Sequence, residues 1–169
     1  MALTKISNQS VLPITEFDSA VTFNNGIQLG GTGSENRLSG YEIGTWTPKI
    51  TGSSGSTGQS YTQDSGRYTK IGRFVYLTYD VGLSNAGNLS GTYLTLGNLP
   101  FTPMGNNHGG SVQVTYFSGF QNLANDHISG YIAGTIAFLV NGSANYIRVA
   151  DGNHTATSRL IGSAWFMQL

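Results

Sequence analysis

A chain of 169 residues with a formal charge of zero and 9% charged side chains suits one compact domain of about 120 residues plus an extended arm. It carries no basic patch to neutralise a run of phosphates, which argues against a nucleic-acid partner. It has no cysteine, which excludes a disulfide framework and thiolate chemistry. Aromatics at 11% argue against global disorder, because chains that stay unfolded are poor in them and rich in charge.

With so few charges, hydroxyls and amides must solvate the surface. A Ser/Thr/Asn surface with scattered tyrosines suits other neutral polar surfaces, sugars included. A generic β-protein surface accounts for the same composition equally well.

Met1 to about Asp18 is polar, and Leu12-Pro13 discourages a continuous helix. The segment reads as an extended arm that orders on a partner or within an oligomer. It lacks the apolar core of a signal peptide, and no run in the chain is long and apolar enough to span a membrane. The expected place of synthesis is therefore a cytoplasm. Val21, Phe23, Ile27 and Leu29 then alternate around Asn24-Asn25-Gly26, a dipeptide-plus-glycine that can close a hairpin. The same residues could instead line the axis of a three-chain shaft.

From Trp46 onward a period of two dominates. The strongest strand is Phe74 to Leu83, with Val75, Leu77, Tyr79, Val81 and Leu83 on a core face. Phe74, Tyr76, Thr78 and Asp80 form a half-aromatic face suited to another sheet or subunit. Gly66 to Ile71 is its expected partner, turning through Gly72-Arg73. Tyr93–Leu96, Ser111–Phe117, Tyr131–Val140, Tyr146–Val149 and Ile161–Leu169 are further expected strands. Turn clusters fall at Gly52–Gly58, Asn85–Asn88, Met104–Gly110, Asn122–His127, Asn141–Ser143 and Asp151–Thr157. This spacing predicts an all-β fold, a jelly-roll-like β-sandwich, at residues 45–169, preceded by an arm and short shaft or linker at residues 1–44.

Motifs for catalysis are lacking. Gly30-Gly31-Thr32-Gly33-Ser34-Glu35 lacks the third glycine at the required spacing and the following helix of a dinucleotide loop. Eight scattered acids supply no paired carboxylates by sequence. His108, His127 and His154 show no metal-ligand spacing, and each reads as a loop residue. No cofactor, metal or catalytic residue is expected, and the chain reads as non-enzymatic. Candidate receptor contacts are the loop groups Asn106, Asn107 and His108; Asn125, Asp126 and His127; and Asp151, Asn153 and His154. Tyr93 and Tyr146 could supply an aromatic face for the C–H side of a sugar ring. Trp165, sharing a strand face with Ile161, Met167 and Leu169, reads as core or subunit interface.

Gly26 to Pro48 reads GIQLGGTGSENRLSGYEIGTWTP, and Ser65 to Arg73 reads SGRYTKIGR. The first block resembles the junction in bacteriophage tail fibre and tailspike proteins where a short trimeric shaft enters a C-terminal head. The two blocks carry the resemblance over roughly Val21 to Leu83. The acidic linker of that family is weakened here, with Ser39-Gly40 before Tyr41 and Ile43 after Glu42. The resemblance implies a homotrimeric virion protein made in the host cytoplasm, whose head binds a host surface glycan. It implies a junction at Tyr41, Trp46 and Pro48, with Trp46 anchoring the head to the shaft. The arm would attach to another tail fibre or virion protein. The alternative is a purely structural adaptor, cap or trimerisation domain.

Overall fold

The computed structural model describes residues 23–105, 109–121, 127–134, 136–141, 145–149 and 154–169; the arm Met1–Asp18 lies outside them. The chain divides into two units after Arg37. In the first, the expected turn is present: the Gly26 amide donates to the Phe23 carbonyl at 3.3 Å, and Gly26 takes φ 79°. Strand β1 (Ile27–Gln28) pairs with β2 (Arg37–Leu38) around a single 3-10 turn at Ser34–Asn36. Phe23, Ile27 and Leu29 are 54%, 39% and 56% exposed. This segment therefore makes local hydrogen bonds while its apolar side chains stay in solvent.

The second unit is all-β. Its strands are β3 (Glu42–Trp46), β4 (Lys49–Gly52), β5 (Gly55–Thr57), β6 (Ser60–Ile71), β7 (Phe74–Asn85), β8 (Asn88–Ser90), β9 (Leu94–Gly97), β10 (Gly110–Phe120), β11 (Ile128–Ala133), β12 (Ile136–Asn141) and β13 (His154–Met167). They join into one antiparallel sheet of order β3-β6-β7-β13-β10-β11-β12-β9-β4-β5-β8. Only Thr47-Pro48 separates β3 from β4, yet the two lie at opposite parts of that order. In a flat sheet they would be about 38 Å apart at one strand spacing per step. Two linking residues reach only about 11 Å. The sheet therefore curls, and its inner face becomes the core.

Alternation decides which side chains enter that core. Val75, Leu77, Tyr79, Val81 and Leu83 are all buried, as their period predicts. They share one cluster with Ile50, Leu94, Leu96, Val112, Ile128, Ile132, Leu139, Leu160 and Phe166. Burying each large aliphatic side chain contributes about 1.5–3 kcal/mol. The Gln59 amide ties the start of β6 to β4 by donating to the Ile50 carbonyl at 2.6 Å. Twice a glycine on one strand makes room for an aromatic from its register partner. A Cβ on Gly66 would sit 2.2 Å from Trp46 Nε1, and one on Gly44 would sit 2.5 Å from the Tyr68 hydroxyl.

Several expectations need correction. Residues of Tyr131–Val140 are not one strand but parts of the hairpin β11–β12, because Gly134 adopts φ 63°. Gly52–Gly58 is not all turn: it holds the end of β4 and all of β5. The last strand begins at His154 rather than Ile161, so His154 to Thr157 are strand residues and His154 is not in a loop. Tyr146 and Arg148 make isolated bridges to Val140 and Tyr93 instead of a regular strand. Trp165 is not core, since it is 44% exposed while its neighbours Ala164 and Phe166 point inward. Strand β3 also takes in Glu42, Ile43 and Gly44, which pair with Lys70, Thr69 and Tyr68.

Candidate functional site: an aromatic cluster beside a hydroxyl-lined groove

Register places a row of side chains across the outer face of the sheet. Tyr76 on β7 pairs with Trp165 on β13, Trp165 with Ser111 on β10, Ser111 with Tyr131 on β11, and Tyr131 with Phe138 on β12. Antiparallel partners share a face, so these five residues lie side by side. Ser111, the small member, separates two aromatic groups.

The first group is Phe74, Tyr76 and Trp165, with the Phe74 and Trp165 rings stacked at 6.2 Å between centroids. The second joins Tyr131, Phe138, Tyr93 and Tyr146. Tyr93 and Tyr146, both expected as sugar-stacking candidates, lie 53 positions apart in sequence and 4.4 Å apart between ring centroids. Phe138 meets Tyr93 edge-on at 5.9 Å and stacks on Tyr131 at 5.5 Å. The Tyr131 and Tyr146 hydroxyls hydrogen-bond each other. That bond, with burial and the nearby phenols, pushes the Tyr131 hydroxyl up to about 12. Tyr131 and Tyr146 each remain 38% exposed. They present rings with polar tips, which suits a ligand with one apolar and one hydroxylated side.

Beside the first aromatic group runs a groove of about 440 Å³. Ser111, Gln113, Ser129 and Ser163 line it, Tyr76 and Trp165 wall one side, and the exposed His127 stands at its margin. Small hydroxyls and an amide there offer both donors and acceptors.

Of the expected contact residues, the fold brings Tyr93, Tyr146 and the groove residue His127 to this part of the sheet. His154 is elsewhere: it faces Phe120 in register, and its Nδ1 is buried without a hydrogen-bond partner among the described residues. Burial holds its pKa below the usual imidazole value. Asn106, Asn107, His108, Asn125, Asp126, Asp151 and Asn153 lie outside the described residues. Tyr131, Phe138, Ser111 and Gln113 were not singled out by sequence. In an unbroken strand Tyr131 and Phe138, seven residues apart, would face opposite sides. Only the turn at Gly134 makes them partners.

The proposed junction residues divide. Tyr41 is 67% exposed and Trp46 is buried. Pro48 is also buried, in the link between β3 and β4. No family model, curated protein or solved structure matches this chain.

Proposed function

We propose that this chain is the head of a bacteriophage tail fibre, binding a host bacterial surface glycan as a homotrimer and acting without catalysis. The observation that carries the binding reading is the Tyr93–Tyr146 ring pair, set in a four-aromatic cluster beside a serine-lined groove. Rings take the C–H side of a sugar, and hydroxyls take its edge. Two described acids are already engaged: Glu42 accepts from the Tyr68 hydroxyl at 2.6 Å, and Asp80 is paired with Arg159. That supports binding over acid–base chemistry.

Assembly is argued from exposed apolar side chains. Phe23, Ile27 and Leu29 in the first unit are exposed, and burial against two symmetry copies would give them a core. In this reading the residues before β3 are the arm and shaft, and the curled sheet, β3 (Glu42–Trp46) included, is the sandwich-like head. Three heads on one polysaccharide-coated surface make weak single contacts effectively tight, since later contacts are intramolecular.

Ile43, Ile71 and Phe74, exposed at 65%, 44% and 40% near the β3 side of the sheet, favour the second reading, a purely structural cap or adaptor in which this face joins other chains. Binding of the purified protein to host cells and glycan arrays tests the choice. Retention that is lost in Tyr146→Ala supports the receptor reading; a trimer that ignores every host surface overturns it in favour of the cap. Light scattering tests the trimer separately. It should give three times the 17.9 kDa chain mass, and a monomer at micromolar concentration ends the proposal.

A further inference from the structure

A second depression, of about 640 Å³, opens on the outer face nearer the β3 edge. Thr45 on β3, Arg67 on β6 and Thr78 on β7 line it as direct register partners, so their side chains share its outer side. Asp80 and Ile161 complete the wall from the next row. Its size lies within the range of small-ligand sites.

The charges in this depression are unequally satisfied. Both carboxylate oxygens of Asp80 are taken by Arg159, through Nε at 2.9 Å and through a terminal nitrogen at 2.7 Å. That fork is a geometrically specific pairing that offsets the Asp80 charge. Arg67 is exposed and has no ion-pair partner among the described residues. The depression therefore holds one uncommitted cation between two threonine hydroxyls, with its only carboxylate already neutralised.

We infer that this depression is an anion-selective saccharide subsite, in which Arg67 takes the carboxylate or phosphate of a charged sugar and Thr45 and Thr78 take neighbouring hydroxyls. A guanidinium binds either anion in a bidentate way, so the two sources share one chemistry. The inference rests on the saccharide-binding reading above and adds the charge of the sugar. It lies on residues the aromatic cluster does not use.

The test titrates glucuronic acid, glucose 6-phosphate and glucose into the full chain, followed by amide chemical shifts. A charge-assisted contact is expected to favour at least one anionic sugar over glucose by about tenfold or more, with shifts at Thr45, Arg67 and Thr78. Preference for only one of them identifies the source of the anion. Arg67→Gln should abolish the preference without loss of glucose binding, and Arg67→Lys should restore part of it. Both replace an exposed side chain, and circular dichroism confirms the fold. Equal binding of all three sugars, or an anion preference that survives Arg67→Gln, overturns this inference alone. Failure of every sugar to bind the wild-type chain overturns the saccharide reading with it.

Discussion

The indole N–H of Trp46 donates to the Thr78 carbonyl at 3.1 Å, reaching from β3 across β6 to β7. It can do so because the residue beneath it is Gly66, its register partner. Gly66→Ala places a methyl group against the indole, and the ring must move or the strands must part. We expect a loss of about 1–3 kcal/mol, as for overpacking elsewhere, read as a lower denaturant midpoint. An unchanged midpoint would show that the indole is not held there.

Tyr146 tests the aromatic cluster. Tyr146→Ala removes one ring of the closest pair and the hydroxyl bonded to Tyr131. Saccharide affinity should fall about tenfold, the scale of one good stacking contact. Because Tyr146 is exposed at 38%, stability should change far less than affinity. Equal losses of both would make the cluster a packing feature only.

Alkaline pH should weaken the fold through its tyrosines. Tyr131 and Tyr61 are each raised from 10.0 to about 12, Tyr131 first by its hydrogen bond to Tyr146 and Tyr61 first by burial. Below pH 10 both folded and unfolded chains hold these protons. Between 10 and 12 the unfolded chain releases them more readily, so stability falls as pH rises through that window. Tyr61→Phe and Tyr131→Phe should each flatten the decline in a denaturation series. Tyrosinate absorbance should also show a late-titrating fraction that shrinks in each variant.

His154 acts at the other end of the scale. Burial lowers its folded pKa from 6.5, so the folded chain resists protonation while the unfolded chain accepts it. Its contribution is present above pH 6.5 and is lost as pH falls through the folded value. His154→Gln should remove that part of the acid sensitivity, measured as the slope of stability between neutral and mildly acidic pH. A slope unchanged by the substitution would rule His154 out.

Asn98 is the one described non-glycine residue with positive φ, at 63°. Its side-chain amide donates to the Thr47 carbonyl at 2.6 Å, holding the short link between β3 and β4. Asn98→Ala loses that bond and keeps a conformation alanine disfavours, so about 1–2 kcal/mol should be lost. Asn98→Gly should lose less, because glycine accepts the backbone angle. The reverse order in thermal denaturation would contradict this account.

The amino-acid sequence by itself determined the all-β character and the core face of β7, because alternation from Val75 to Leu83 leaves one arrangement that buries five large side chains. It also marked Tyr93 and Tyr146 as candidate ring faces. It could not pair them, since 53 residues separate the two and no local pattern records a long-range register. The turn at Gly134 lay hidden inside an apolar run that alternation reads as one strand, and with it went Tyr131 and Phe138. Trp165 shows the same limit: period two says which residues share its face, not whether that face turns inward. Only the tertiary structure decided these matters. Closing a two-residue link between β3 and β4 forces the sheet to curl, and the curl assigns an inside to one face of every strand. The other face then carries the aromatic cluster, its groove and the depression around Arg67.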